Sequence, residues 1–321
     1  MQVRAQCAAV IAAGTFRLDV KGAEIRGALL ATGLRPVLLK GRPFANLLYG
    51  ESESRDYSDV DLLVSPGDAT RAQQVLRAEG FRPSYGSAPI DPQSRQVVEG
   101  SLHGGAWYRK RDGLTIDLHH TLPQVVADPW LVWSEITRHT MSMNIGGAAT
   151  DVLDRPASAL LVALHAAHHG VAFGSAVEDP RRAAQRFDFA CWSQARDLAS
   201  KLDATAAMGI GLGLTPEGSR IAEDLGLSTV PTFGLLLRWN DAPWGSNFIE
   251  AMAAQSGIAK RLGLLIWLLW PRPAALRLSS PLARRSRRGL VVAYAIRPAQ
   301  LARRAPAALA AWRRTRRSIS Q

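Results

Sequence analysis

The chain is poor in cysteine, in long apolar runs and, towards its end, in acidic residues. Two cysteines, Cys7 and Cys191, lie far apart and form no CxxC or Cys/His pattern, which excludes a disulfide framework and a zinc site of the usual spacing. The apolar run Leu262–Trp270 has nine residues and is too short to cross a bilayer. We therefore expect a cytoplasmic protein whose first segment is an ordinary helix rather than a signal peptide.

The absence of acidic residues after Glu250 divides the chain by charge. The sequence has 39 Lys and Arg against 27 Asp and Glu, a net charge of +12. Fifteen of the basic residues follow Glu250, so residues 1–250 carry 24 basic against 27 acidic groups, a net charge of −3. The positive excess is therefore a property of residues 251–321 alone.

Length and apolar content predict one large or two ordinary domains. The chain has 321 residues, of which 47% are hydrophobic. Short strand and helix patterns alternate over residues 1–150, which predicts one domain that combines strands and helices. Residues 151–250 show helical patterns and should form a helical domain, and residues 251–321 should form a basic amphipathic helical tail.

Two carboxylates and a Lys-Gly turn lie within one stretch of the α+β region. Lys40 and Gly41 follow a short apolar strand and precede a helix, where backbone NH groups can hold phosphate. Asp59 and Asp61 are two residues apart on the next strand, so their side chains project to the same face. Two close negative charges are stabilised by a cation, and Mg²⁺ takes carboxylate oxygens together with substrate phosphates. The stretch favours a metal-dependent nucleotidyl transfer site.

A third carboxylate lies on the polar face of a later strand. Apolar and polar residues alternate in Leu114–His119, so Asp117 and His119 share one face, and His120 should face the other way. In nucleotidyl transfer, two carboxylates would fix Mg²⁺ on the triphosphate while the third ligates one ion and helps to deprotonate the attacking hydroxyl. For His119, direct contact with the nucleotide or acceptor and a hydrogen bond to a metal-binding carboxylate both remain open.

These residues resemble the polymerase-β-like nucleotidyltransferase superfamily, and within it the family described as uncharacterised nucleotidyltransferase. The similarity covers about a third of the chain in the expected order. The matching segments are Leu39-Lys40-Gly41, Tyr49-Gly50, Arg55, Asp59–Val64, the helix end Leu76–Phe81, and Asp117-Leu118-His119.

The resemblance implies a fold and a set of roles. The fold of residues 1–150 would be the polymerase-β-like α+β fold, with a small mixed sheet flanked by helices. Residues 151–250 would shape the acceptor pocket. The three aspartates would ligate Mg²⁺, with Mn²⁺ as the alternative, and the expected nucleotide is an NTP, with ATP as first choice. The residues expected at the nucleotide are Lys40, Gly41, Arg42, Arg55 and His119.

Arg42 departs from the wider superfamily. A Gly-Ser or Gly-Gly pair is usual at the start of the helix, whereas this chain has Gly41-Arg42. Arg42 is therefore expected either to contact phosphate or to face solvent. The alternative function is therefore that of a catalytically inactive nucleotide-binding or membrane-associated adaptor protein of the same fold.

Three histidines lie on one side of a predicted helix over residues 156–170. His165, His168 and His169 have the spacing i, i+3 and i+4. No acidic partner of the HExxH type accompanies them, so a structural or substrate-facing role is favoured over metal binding.

Residues 251–321 combine arginines with apolar residues at helical spacing. This composition is typical of a helix on an anionic membrane surface. The apolar positions of the last helix are Leu301, Ala305, Ala308, Leu309 and Trp312. Docking on a membrane or a partner protein is the first interpretation, domain packing the second, and nucleic acid the third, because no nucleic-acid-binding motif accompanies the arginines.

Overall fold

The computed structural model describes residues 2–50, 53–83, 104–171, 174–240, 242–243, 245–254, 257–271, 273, 276–277 and 280–319. The chain divides into two compact units, Met1–Val230 and Pro231–Gln321. The division into three segments at residues 150 and 250 stays a prediction.

One mixed sheet of seven strands, counted over the described residues, organises the first unit. Its order is β3-β4-β5-β2-β1-β7-β6; β2 lies parallel to β5 and β1 parallel to β7, and the other neighbours are antiparallel. The strands are β1 Val37–Leu38, β2 Asp59–Leu63, β3 Arg82–Pro83, β4 Gly104–Arg109, β5 Leu114–His119, β6 Thr140–Ile145 and β7 Ala148–Leu153. The predicted mixed sheet flanked by helices is confirmed.

Helices flank this sheet and build the remainder of the first unit. They are α1 Gln2–Ala31, α2 Arg42–Leu48, α3 Ala69–Ala78, α4 Pro129–Ile136, α5 Arg155–His169, α6 Gly174–Arg186, α7 Phe189–Lys201, α8 Thr205–Leu212 and α9 Pro216–Asp224. A 3₁₀ turn, Thr137–His139, follows α4. The expected helical region after the sheet is thus present.

The alternation of side chains along β2 and β5 separates an apolar face from a polar one. Val60 and Leu62 of β2 and Ile116 and Leu118 of β5 are buried in one hydrophobic cluster. The cluster is completed by residues of α1 and α3, among them Ile25, Leu29, Ala72 and Leu76. Because successive strand residues point to opposite faces, this packing directs the intervening polar residues to the other side of the sheet.

The second unit is helical within its described residues. Its helices are α10 Phe233–Trp239, α11 Ser246–Ala254, α12 Ile258–Leu269, α13 Pro281–Arg285 and α14 Arg287–Ile319. Trp312 Nε1 donates to Glu250 Oε2 at 2.7 Å, and Ser246 Oγ donates to the carbonyl of Ala308 at 3.3 Å, so α14 packs on α11. None of the described helices combines the length and the apolar character that a bilayer span requires.

The contact between α5 and α8 depends on a glycine. A Cβ on Gly211 would lie 1.9 Å from the carbonyl oxygen of Ala163 and 3.1 Å from the amide nitrogen of Ala167. Ala163 is fully buried, so the backbones of the two helices can approach this closely only where one residue lacks a side chain.

We expect Gly211→Ala to destabilise the first unit by about 1–3 kcal/mol, because the added methyl group overlaps backbone that cannot move aside. Thermal unfolding of the full chain measures this. The matched control is Gly27→Ala on α1, where a Cβ meets no atom within 4 Å; it should leave the melting temperature unchanged or raise it slightly. Equal melting temperatures for the two variants would contradict the inferred close contact.

Candidate active site

The register between β2 and β5 brings the acidic residues together. Asp61 pairs directly with Asp117 in the parallel ladder, and Asp59 pairs with Thr115. Paired residues on neighbouring strands project to the same face. One ligand atom each of Asp61, Asp117 and His119 lies within 4.8 Å of the others. The structure thus assembles a carboxylate cluster from residues far apart in the chain.

Asp61 is the most enclosed member of this cluster, with 1% of its surface exposed. Its Oδ1 lies 3.1 Å from Lys40 Nζ and 3.0 Å from His119 Nε2. Burial opposes ionisation, but the charge of Lys40 and the hydrogen bond with His119 outweigh it and hold the pKa of Asp61 below its usual range. Asp61 is therefore a carboxylate with cationic and hydrogen-bonding partners already in place.

Asp59 and Asp117 differ from Asp61 electrostatically. Burial, reinforced by the charge of Asp61, raises the pKa of Asp117 to about 6. Burial and the same neighbouring charge also raise the pKa of Asp59. Both shifts show that a further negative charge is unfavourable on this face. A cation between these carboxylates would relieve that repulsion, and hard divalent ions prefer oxygen ligands of this kind.

The carboxylates border a cavity of about 320 Å³. One wall is the polar face of β2 and β5, which contributes Asp59 and Asp117. Helix α5 contributes His165 and His169, and Ser175 near the start of α6 completes that side. The rest of the lining is formed by Lys40, Gly41 and the segment Arg55–Ser58. The lining of the cavity thus combines carboxylates with imidazoles.

Lys40 and Gly41 lie where the sequence predicted them, in the turn between β1 and α2. Gly41 has φ 85° and ψ −118°, a left-handed conformation that strains any residue with a side chain. Its Cβ position would also touch the ring of Tyr57 at 3.4 Å. Helix α2 has only seven residues, so a phosphate here would depend on the lysine and the glycine backbone rather than on a helix dipole.

Arg55 lines the cavity, but its charge is already paired. Its guanidinium donates to both carboxylate oxygens of Asp179 on α6, with distances of 2.7–3.1 Å. Tyr49 OH donates to the same carboxylate at 2.9 Å. Arg55 is 6% and Asp179 1% exposed. The pair fastens the segment before β2 to α6, so the structure gives Arg55 a structural partner that the sequence did not reveal.

Arg42 likewise has a protein partner. Its Nε lies 2.6 Å from Asp19 Oδ2, and Tyr57 OH donates to Asp19 Oδ1 at 2.8 Å. This ion pair links α2 to α1. The Arg42 side chain, which was expected either to contact phosphate or to face solvent, contacts Asp19 instead. A nucleotide-binding role for Arg42 stays a prediction, and the cavity lining does not include it.

His119 occupies the expected face and is held there by close strand packing. With its proton on Nε2, the imidazole donates to Asp61, which is the hydrogen-bonding alternative left open by the sequence. Opposite it on β4, a Cβ on Gly104 would lie 2.9 Å from His119 Cα and 3.0 Å from its Nδ1. Gly104 therefore provides the space for the imidazole, a role that no sequence motif indicated.

The three histidines of α5 pack against one another, and the rings of His168 and His169 lie 4.8 Å apart. The rings of His165 and His169 lie 4.5 Å apart at the cavity wall, whereas His168 Nδ1 is 3.2 Å from the side-chain amide of Gln124. Burial, followed by the positive charge of Lys40, keeps the pKa of His165 well below its usual value. Within the described residues, these histidines do not belong to the cluster that could hold a metal ion.

A mixed sheet with paired carboxylates on adjacent strands, a Lys-Gly turn and a cavity between them defines a nucleotidyltransferase-type site. The family model described as uncharacterised nucleotidyltransferase matches residues 5–217. The chain therefore belongs to this family of nucleotidyltransferases, and the resemblance noted in the sequence is confirmed. No curated protein matches the chain.

We expect Asp179→Ala to destabilise the protein by about 3–5 kcal/mol, because it leaves Arg55 buried without its counter-ion. Urea unfolding of the full chain measures this. The control is Glu24→Ala, which removes the exposed partner of Lys21 and should cost at most about 1 kcal/mol. The double variant Arg55→Met/Asp179→Leu should recover most of the loss, since it removes both charges. A small effect of Asp179→Ala alone would show that the pair is not needed.

We expect His119→Ala to weaken binding of Mn²⁺ by about 10–100-fold, because Asp61 loses the donor that orients it. His119→Gln retains a donor at the end of the side chain and should recover part of the affinity. Calorimetric titration with Mn²⁺ and with Mg²⁺ measures both variants. Half-buried His139, which pairs with Asp154 and is not a member of the cluster, gives the control His139→Ala. An unchanged Mn²⁺ affinity of His119→Ala would contradict the inferred role of His119 in orienting Asp61.

Proposed function

We propose that the protein transfers a nucleoside monophosphate from an NTP, with ATP as first choice, to an acceptor hydroxyl or phosphate and releases pyrophosphate. The observation that carries the proposal is the convergence of Asp59, Asp61 and Asp117 on one face of the sheet. Asp59 and Asp117 line a cavity there together with Lys40 and Gly41, and Lys40 contacts Asp61. Metal-dependent nucleotidyl transfer uses an acidic cluster beside a phosphate-binding turn. Family membership supports the same class of reaction.

The donor atoms fit a hard divalent cation. Asp61 and Asp117 offer carboxylate oxygens close together, and the repulsion among the carboxylates disfavours the cluster without a cation. We propose Mg²⁺ as the ion, with Mn²⁺ as the alternative, held by Asp59, Asp61 and Asp117. His119 acts through its hydrogen bond to Asp61, since imidazole is a poorer ligand for Mg²⁺ than for softer metals. The ion would supply the charge that stabilises the developing negative charge on the triphosphate.

The residues of the chain then have distinct tasks in the proposed reaction. Lys40 exchanges its contact with Asp61 for an oxygen of the triphosphate, and the left-handed turn at Gly41 lets the backbone approach the phosphate. Asp117, the carboxylate with the raised pKa, accepts the proton of the acceptor hydroxyl. A bond forms between the acceptor oxygen and the α-phosphorus as the bond to the β-phosphate oxygen breaks, and pyrophosphate leaves.

The wall formed by α5 is proposed as the acceptor side. His165 and His169 face the cavity from the helix that follows the sheet, and Ser175 adds a hydroxyl from α6. Because its pKa is depressed, His165 is a neutral group that can hydrogen-bond an acceptor. This assignment continues the expectation that residues after 150 shape the acceptor pocket.

The second candidate is a nucleotide-binding protein without turnover. Two observations favour it: Lys40 is already engaged by Asp61, and Arg42 stands at the position of the usual small residue. Such a protein would bind an NTP tightly and release no pyrophosphate with any acceptor offered. Calorimetry combined with a pyrophosphate assay separates the two candidates.

We expect labelled ATP, and the other three NTPs in parallel, to yield pyrophosphate and a labelled acceptor when incubated with the full chain, Mg²⁺ and an acceptor extract. Asp59→Ala/Asp61→Ala should reduce the rate by at least about 10³-fold, because the metal site is lost. Lys40→Ala should raise KM for the NTP more than it lowers kcat if its role is phosphate binding.

The control for this assay is Asp151→Asn/Asp197→Asn, which changes two exposed aspartates outside the cavity. It should retain full activity and an unchanged melting temperature. Activity that survives Asp59→Ala/Asp61→Ala would exclude the proposed mechanism. NTP binding without pyrophosphate release would favour the second candidate.

We also propose that the protein is cytoplasmic and that residues 251–321 dock it on an anionic membrane surface or a partner protein. The supporting observation is the concentration of fifteen basic and no acidic residues in this segment. Nucleic acid is the less favoured partner. The wild-type chain and a chain ending at Glu250 should differ in their binding to anionic vesicles.

A further inference from the structure

Helix α12 in the second unit exposes one apolar stripe. Ile258, Leu262, Ile266 and Trp270, four residues apart, are 76%, 51%, 58% and 59% exposed. Residues four apart lie on the same side of a helix, and Trp270 caps its end. Leu265, also exposed, lies between Leu262 and Ile266 on the same side. The stripe therefore runs along the whole length of the helix.

The opposite side of α12 is occupied by its own unit. Arg297 on α14 donates to the carbonyl of Leu268 at 2.7 Å, and Tyr294 OH donates to the carbonyl of Pro271 at 2.5 Å. Leu264 and Trp267 on this side are half-buried. These contacts hold one side of α12 against α14. The exposed stripe therefore lies on the side of α12 that these contacts leave uncovered.

Two of the apolar residues expected to meet a membrane from the last helix are engaged within the second unit. Ala308 is 2% exposed, and Trp312 packs against Phe233 and donates to Glu250. That side of α14 lies against α10 and α11 and is not available as a surface. The structure therefore moves the candidate docking surface from α14 to α12.

Charge indicates what could cover the stripe. Lys260 and Arg261 are exposed in the first turn of α12, and Arg287 and Arg288 are exposed at the start of α14. No acidic residue follows Glu250 in the sequence. An apolar stripe on a helix with basic neighbours, ending in Trp, matches the requirements of an anionic lipid interface.

We propose that α12 lies in the plane of an anionic lipid surface, with Ile258, Leu262, Ile266 and Trp270 inserted among the acyl chains and Lys260 and Arg261 at the headgroups. The proposal rests on, and deepens, the proposed docking role of residues 251–321, because it commits to lipid and locates the contact. It does not depend on the proposed catalytic activity.

Two other occupants fit the stripe less well. A second copy of the chain would bring two basic segments together, and like charges in close contact are unfavourable. Nucleic acid would satisfy the arginines, but its phosphates offer no partner for a surface of Ile and Leu side chains. Of these three occupants, lipid is the one that satisfies both the basic and the apolar part of the surface.

The test uses flotation of the full chain with vesicles of phosphatidylcholine alone and of phosphatidylcholine mixed with phosphatidylserine. We expect binding to the mixed vesicles only. Leu262→Ser/Ile266→Ser/Trp270→Ser should weaken partitioning by at least about tenfold, because three inserted apolar side chains are lost. Lys260→Gln should weaken it by about fivefold, and added salt should weaken it further.

The control variant Phe16→Ser/Val126→Ser removes two exposed apolar side chains from the first unit and should bind vesicles as the wild type does. Melting temperatures and nucleotidyl transfer should be unchanged in the triple serine variant, which separates loss of docking from loss of folding or catalysis. Equal vesicle binding by the wild type and the triple serine variant would overturn the proposal, as would no binding by the wild type. A wild-type dimer in light scattering that the triple variant lacks would overturn it in favour of a second copy.

Discussion

The site depends on one constraint: the parallel register of β2 and β5 forces negative charges together on a largely buried face. Asp61 is opposite Asp117, and Asp61 is stable there only because Lys40 and His119 meet its Oδ1. Leaving a buried carboxylate without such partners would cost several kcal/mol. The left-handed turn at Gly41 delivers Lys40, and the missing side chain at Gly104 makes room for His119. Gly41 and Gly104 therefore both help to place the partners that stabilise the charge of Asp61.

The segment that leads into β2 is held by charge rather than by apolar packing alone. Asp179 receives hydrogen bonds from Arg55 and Tyr49, while Arg182, one turn further along α6, contacts Glu53 and lies over the ring of Tyr49 at 4.1 Å. Both ion pairs join residues more than 120 positions apart. Helix α6 thus positions one end of the acidic strand and also contributes to the cavity wall, so the two sides of the cavity are coupled by the same contacts.

The predictable part of the site is the part that local periodicity controls. Alternation along β2 and β5 was sufficient to place Asp59, Asp61, Asp117 and His119 on one face. The partners of Arg42 and Arg55 could not be predicted, because Asp19 and Asp179 reach them only through tertiary packing.

The separation of charge along the chain has a physical consequence for its two units. The pKa values in the cavity are shifted by burial and by Lys40, Arg55 and Asp61, all of which belong to the first unit. The basic residues after Glu250 are therefore not needed to balance the acidic site. This excess of positive charge favours binding of these residues to an anionic partner. Because the same segment also exposes the apolar stripe of α12, the partner that fits best has a surface that is both anionic and apolar.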